Sequence, residues 1–242
     1  MLSKLEIEEL HERGIVHREG KLGGKIPFVV RTFRVKDNLR FAEAMDDVEV
    51  TDSNLHIQNI IAHNTLKGCL VSVNGHPTTE EAFKKFTAEK ANYIIEFWKV
   101  FSKDLVTYLQ GFPKQELAEG ELEEFILTDT IEREETFEYE EGVPPLVIKY
   151  RINPVGEVME ITTKMRDLLK NKISKMHARA ATDRAFASVT LIAVNDMVVN
   201  EETIDDLNIE IVNFALNRAN AVEEKLRDYL KNPEKMSEAL KN

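Results

Sequence analysis

Residues 69–110 read CLVSVNGHPTTEEAFKKFTAEKANYIIEFWKVFSKDLVTYLQ, and residues 190–231 read TLIAVNDMVVNEETIDDLNIEIVNFALNRANAVEEKLRDYLK. At an offset of 121 the two align without a gap. Leu70/Leu191, Val73/Val194, Asn74/Asn195, Glu80/Glu201, Glu81/Glu202, Asn92/Asn213, Leu105/Leu226, Tyr108/Tyr229 and Leu109/Leu230 are identical. Replacements such as Phe83/Ile204, Phe86/Leu207, Tyr93/Phe214 and Ile95/Leu216 keep type. The matches fall on one helical register, so the chain is two tandem copies of one small domain. The expected fold class is mainly α with short β-strands (α+β).

Working outward, IPFVVRTFRV (26–35) is rich in β-branched and aromatic residues and predicts a strand. PPLVIKYRI (144–152) is its counterpart, aligned by pairing Phe33 with Tyr150, Arg34 with Arg151 and Val35 with Ile152. On that alignment Asn153-Pro154 replace Lys36-Asp37. Ser3 caps a short leading helix over 3–14. Asp37 opens a helix to Asp47, and Asp52 or Ser53 opens another from Leu55 to Val73, ended by Asn74-Gly75. Thr78 or Thr79 with Glu81 begins a short helix ending near Phe86, and Thr87 caps a long last one. Along that last helix Ile94, Trp98, Phe101, Leu105 and Tyr108 step by 4, 3, 4 and 3, which is one face. The second copy has Ala215, Ala219, Val222, Leu226 and Tyr229 there. Either its helices pack closer, or the first copy's bulky stripe fills space that the second leaves open; different core packing is the favoured expectation.

Three segments follow: a first repeat over 1–112 (leading helix, strand 26–35, helices to 111), a connector over 113–143, and a second repeat over 144–242 (strand 144–152, helices to 231, polar tail after Asn232-Pro233). The net charge of -11 is local. Glu116 to Glu141 carry twelve acids and one base, Arg133, while the remainder is balanced. That stretch can hold some helix in ELEEFILTDTIE, and FEYEEGVPP suggests an edge strand or extended turn. Without a clustered basic face, nucleic acid is not an expected partner. Lys164 to Arg184 is the one dense cationic stretch, and its helical interleaving with apolar residues makes it a solvated face. No apolar run reaches the roughly 20 residues of a membrane span, so no membrane is expected. A single cysteine, Cys69, excludes an intrachain disulfide.

Searching for chemistry yields little. GKLGGK (20–25) has three residues between its outer glycines instead of the four of a phosphate loop, and Ile26 stands where Ser or Thr would bind magnesium. His63, Cys69 and His76 form the only conceivable soft-metal set, but His63 and Cys69 are six apart on a helix and a fourth ligand is not evident. His56 recurs as His177, as a helix-packing residue would. The crowded acidic run lacks the apolar burial that separates the pKa values of catalytic carboxylates. No catalytic residue, cofactor or metal is expected, and the chain is not expected to be an enzyme.

GKIPFVVRTFRVKDNLRFAEAM is similar to the opening of small baseplate hub and tail assembly proteins of contractile-tailed phages, a group that includes the tail assembly chaperones. Those proteins carry an R-x-F-x-V-K-[DE] signature at a strand-to-helix junction, here Arg31, Phe33, Val35, Lys36 and Asp37. An amphipathic helix ending in Cys follows, here Cys69, then an F-[TD]-x-E step into the long helix, here Phe86, Thr87 and Glu89. The resemblance covers 24–110 and, more faintly, 144–231. It implies a non-enzymatic structural or assembly protein whose partners are other phage tail or baseplate proteins. Its place would be the host cytoplasm during assembly and, where it is built in, the virion tail or baseplate; oligomerisation is compatible with it. A cytosolic chaperone for the tape-measure protein and an unrelated acidic adaptor or regulatory module are the alternatives. Candidate partner-binding residues are Arg31, Phe33, Arg34, Lys36, Asp37, Trp98, Phe101, Tyr150 and Arg151, on helical faces and on the edges of the strands at 26–35 and 144–152.

Overall fold

A computed structural model describes residues 1–46, 48, 53–83, 85–114, 117, 119–128, 130–152, 155–170 and 173–231. The Asp47 end of one helix, the Asp52 cap, Asn153-Pro154 and the stop at Asn232-Pro233 with its tail lie outside them. The chain is mainly α with short strands, arranged as two four-stranded antiparallel sheets under helices.

The first repeat opens with α1 (Lys4–Arg13), closed by a reciprocal cap in which Ser3 Oγ accepts the Glu6 N–H and Glu6 accepts the Ser3 N–H at 2.7 Å. A hairpin of β1 (His17–Leu22) and β2 (Ile26–Arg31) follows, then α2 (Val35–Ala44) and α3 (Asn54–Cys69). Next come β3 (Leu70–Val73), β4 (His76–Pro77), the single turn α4 (Glu80–Phe83) and the long α5 (Ala88–Gln110), capped by Thr87. The second repeat has the same order: α6 (Glu119–Thr128), β5 (Ile131–Phe137), β6 (Leu146–Ile152), α7 (Val155–Lys170), α8 (Lys175–Thr190), β7 (Leu191–Val194), β8 (Met197–Val198), a 3-10 turn (Ile204–Asp206) and α9 (Ile209–Leu230). Sheet orders β1-β2-β3-β4 and β5-β6-β7-β8 are the same.

Besides the strand expected over 26–35, which stops at Arg31, and the cap of α2, which is Arg34 with Asp37 three residues further on, four expectations change. Residues 113–143 are not a mere connector, because 119–128 and 131–137 are the leading helix and outer strand of the second repeat. Their likeness to 1–22 lies at an offset of 115: Leu2/Leu117, Glu6/Glu121, Glu8/Glu123, Glu9/Glu124, Arg18/Arg133 and Glu19/Glu134. The ion pair Arg18–Glu6 (2.6 Å) returns as Arg133–Glu121 (2.8 Å). Secondly, the strand alignment slips by three residues. Phe28 faces Val73 and Val30 faces Leu70, as Ile148 faces Val194 and Tyr150 faces Leu191, with a bulge at the same place in both sheets. Arg31 therefore matches Arg151, and Asp37 matches Glu157. Thirdly, β2 and β6 are inner strands paired on both sides, so they offer no free edge. Lastly, Leu70 to Val73 is strand, not the end of a helix. Asn74 (φ 52) and Gly75 (φ 75) both take the left-handed conformation, which makes Asn-Gly a tight hairpin turn rather than a helix stop.

One hydrophobic core runs through both repeats, from Leu10, Phe28, Val30 and Phe101 to Ile131, Ile148, Tyr150 and Leu226. Backbone bonds cross the seam as well: Val35 N–H donates to Leu207 and Ile209 N–H to Phe33, each at 2.9 Å.

Candidate functional site

Those two crossing bonds run beside an open cleft lined by Phe33 and Ile209. They pin the segment that leaves β2 to the start of α9. Asn208, fully buried, completes the joint: its Oδ1 accepts the Glu210 N–H at 3.0 Å and its Nδ2 donates to Thr32 Oγ1 at 3.1 Å. The segment after β2, carrying Phe33, thus meets the first turn of α9 from the other repeat.

Trp98 of α5 packs on Phe33 with ring centroids 4.5 Å apart, and its Nε1–H donates to the Arg31 carbonyl at 3.2 Å. Beside this aromatic wall lies an open cavity of about 770 Å³. Asn38 and Phe41 of α2, Ile61 and Thr65 of α3, and Arg179 and Asp183 of α8 line it, with Glu210, Asn213, Leu216, Asn217 and Asn220 of α9. Asn213, Asn217 and Asn220 fall at i, i+4 and i+7, so three carboxamides share one face of α9. Burial pushes the Glu210 carboxyl above its ordinary range, although Ser102 Oγ donates to it at 3.1 Å. Burial raises Asp183 too, against the pull of Arg179.

A second cavity, of about 300 Å³, is its neighbour, with Asp183, Leu216 and Asn220 lining both. It lies against Ala219. Ala215, Ala219, Val222 and Leu226 are buried in the core, as different core packing predicts, and this cavity lies where the first repeat has Trp98.

The candidate residues separate into four groups. Phe33 and Trp98 line the cleft together. Arg31, Arg34, Lys36 and Asp37 form its support: Arg31 meets Asp37 at 2.7 Å, Arg34 meets Asp37 at 3.1 Å, and Arg34 and Lys36 reach across the seam to Asp206. Arg151 bonds Glu157 at 2.9 Å and the Val189 carbonyl at 2.7 Å while lining the smaller cavity. Phe101 and Tyr150 are 0% and 1% exposed, so they are core residues and present nothing to a partner. Sequence reasoning passed over Asn38, Glu210 and the α9 asparagines. Their helical spacing was the available signal, but only the docking of the two repeats turns that face into a wall.

The described lining of the cleft presents aromatic, carboxamide and charged groups. Among the described residues, no three His, Cys, Asp or Glu side chains stand together as a metal site. Burial pushes the Cys69 thiol far up, so it is not an activated nucleophile. No helix among the described residues is long and apolar enough to cross a membrane. No family model, curated protein or solved structure matches the chain.

Proposed function

We propose that this chain is a non-enzymatic structural or assembly protein of a phage tail, acting in or for the baseplate hub, and that it holds other tail proteins in the cleft between its repeats. The cleft carries this reading. It is a concave surface of mixed apolar and carboxamide character, suited to side chains and backbone of a polypeptide rather than to a reaction. The tail assignment itself rests on the resemblance of Arg31, Phe33, Val35, Lys36 and Asp37 to the tail-protein signature. In this fold those residues bear directly on the cleft: the Arg31–Asp37 pair fixes the β2-to-α2 junction, and Phe33 forms the wall.

Charge favours a protein partner over nucleic acid. In the cationic stretch, Lys164, Lys170, Arg179 and Arg184 each sit beside a carboxylate: Glu160, Asp167, Asp183 and Asp205. Phosphate neutralisation would need those cations uncommitted. The test is co-purification of the tagged chain with baseplate or tape-measure proteins from infected cells, together with detection in purified virions. Presence in the particle marks a built-in component, and presence only in assembly extracts marks a chaperone. Absence from both overturns the proposal.

A further inference from the structure

The first repeat shows what fits the smaller cavity of the second. Residues 98 and 219 hold the same position in their repeats, and Arg31 and Arg151 match through the shared strand register. In the first repeat the Trp98 indole donates its N–H to the Arg31 carbonyl and stacks on Phe33. In the second, Ala219 leaves about 300 Å³ open between Arg151, Val158, Phe186 and Leu216. Arg151, whose counterpart receives the indole N–H, therefore belongs to the cavity wall.

The opening is a surface cavity lined by polar and apolar groups alike. A site that can relax collapses when a large side chain gives way to a small one, and one that cannot keeps its cavity at a cost in stability. Here the walls are tied back. Arg151 bonds Glu157 of α7 and the Val189 carbonyl of α8, while Arg184 bonds Asp205 at 2.6 Å and holds α8 to the 3-10 turn. The volume, about 300 Å³, matches the lower end of ligand pockets, about 300–1,000 Å³.

We infer that the Ala219 cavity is a socket for an aromatic side chain, an indole above all, presented by the protein partner that lies in the main cleft. The inference rests on the assembly reading above. The incoming ring takes the place in the second repeat that Trp98 takes in the first, and its N–H meets the wall at Arg151. Buried aromatic anchors of this kind dominate interface energetics.

Free indole is the probe, added to the full-length chain and followed by saturation-transfer NMR and by titration of the thermal midpoint. We expect saturable binding to the wild type and at least tenfold weaker binding to Ala219→Trp, whose own indole fills the socket. Should Ala219→Trp not fold, Ala219→Leu fills part of the space and is expected to weaken binding in the same sense. No saturable binding to the folded wild type, or undiminished binding to a folded filled variant, overturns the inference. Pull-down of tail proteins separates the two claims. Loss of the partner with Ala219→Trp supports the socket, and retention of the partner by that variant overturns it while leaving the assembly reading intact. Indole binding by a wild-type chain that retains no tail protein supports the socket's aromatic chemistry and overturns the assembly reading instead.

Discussion

Asp37 illustrates how one position of the tail-protein signature works physically. Its side chain is 3% exposed and accepts from Arg31 at 2.7 Å, from the Arg34 side chain at 3.1 Å and from the Arg34 backbone N–H at 3.0 Å. Burial by itself would raise its pKa, but the two guanidinium bonds outweigh it and hold the carboxyl below its ordinary value. The corresponding pair Arg151–Glu157 is roughly a third exposed on both sides and is screened by water. Asp37→Asn is therefore expected to cost about 3 kcal/mol, as breaking a buried pair does, and Glu157→Gln under about 1 kcal/mol, both measured by urea unfolding at pH 7. The sign with pH follows from the depressed folded pKa. Asp37's contribution is complete above its unfolded value near 3.8 and is lost as pH falls through the folded one. The deficit of Asp37→Asn should accordingly shrink in acid; a deficit that grows would contradict the ion pair.

At the scale of elements, the two repeats solve one packing problem with opposite chemistry. In the first, Gly20 of β1 leaves room for Phe28, whose ring would lie 2.3 Å from any Cβ there, and Phe28 meets Phe97 edge-on at 5.1 Å. In the second, Glu135 replaces Gly20 and Arg218 replaces Phe97. Glu135 is 1% exposed, accepts the Tyr150 hydroxyl at 2.6 Å and meets Arg218 at 3.2 Å. Arg218 also donates to the carbonyls of Phe112 and Pro113, which ties α9 to the end of α5. Arg218→Ala leaves a buried carboxylate without its cation and is expected to cost about 4 kcal/mol in urea unfolding, whereas the double change Glu135→Leu, Arg218→Met should recover most of that. A double variant no better than the single one would mean that the carbonyl bonds, not the charge pair, are what Arg218 supplies. The same exchange explains what the sequence hid. The 4-3 stepping of α5 and α9 was plain because their apolar faces are continuous. β5 was masked because Ile131, Arg133, Glu135 and Phe137 face inward, so half of its buried side is charged and no apolar alternation survives. The contrast of Trp98 with Ala219 was legible, but that it leaves a cavity depends on how firmly Arg151 and Arg184 hold their walls. That property lies in three dimensions and leaves no periodicity.

Over the whole molecule, the two repeats share one core, and their seam is part of it. His11, at the end of α1, is 2% exposed and sits on that seam. Its Nδ1 lies 2.5 Å from the Pro144 carbonyl, which can only accept, so Nδ1 carries the proton and Nε2 accepts from the Tyr108 hydroxyl at 2.9 Å. Asn195 of the second repeat donates to the His11 carbonyl and accepts the Val147 N–H at 2.8 Å, closing a network across both halves. Burial lowers the His11 pKa, and the bond to Pro144 offsets this only in part. The unfolded chain takes up a proton near pH 6.5 that the folded seam refuses, so stability falls as pH drops below that value. We expect the urea midpoint of the wild type to decrease between pH 7.5 and 5.5 in a single cooperative transition, since the two repeats share one core. His11→Gln, which keeps a donor and an acceptor but cannot titrate, should show a clearly smaller decrease. An equal decrease in both proteins would place the pH sensitivity elsewhere, and two separate transitions would show that the repeats unfold independently despite their common core.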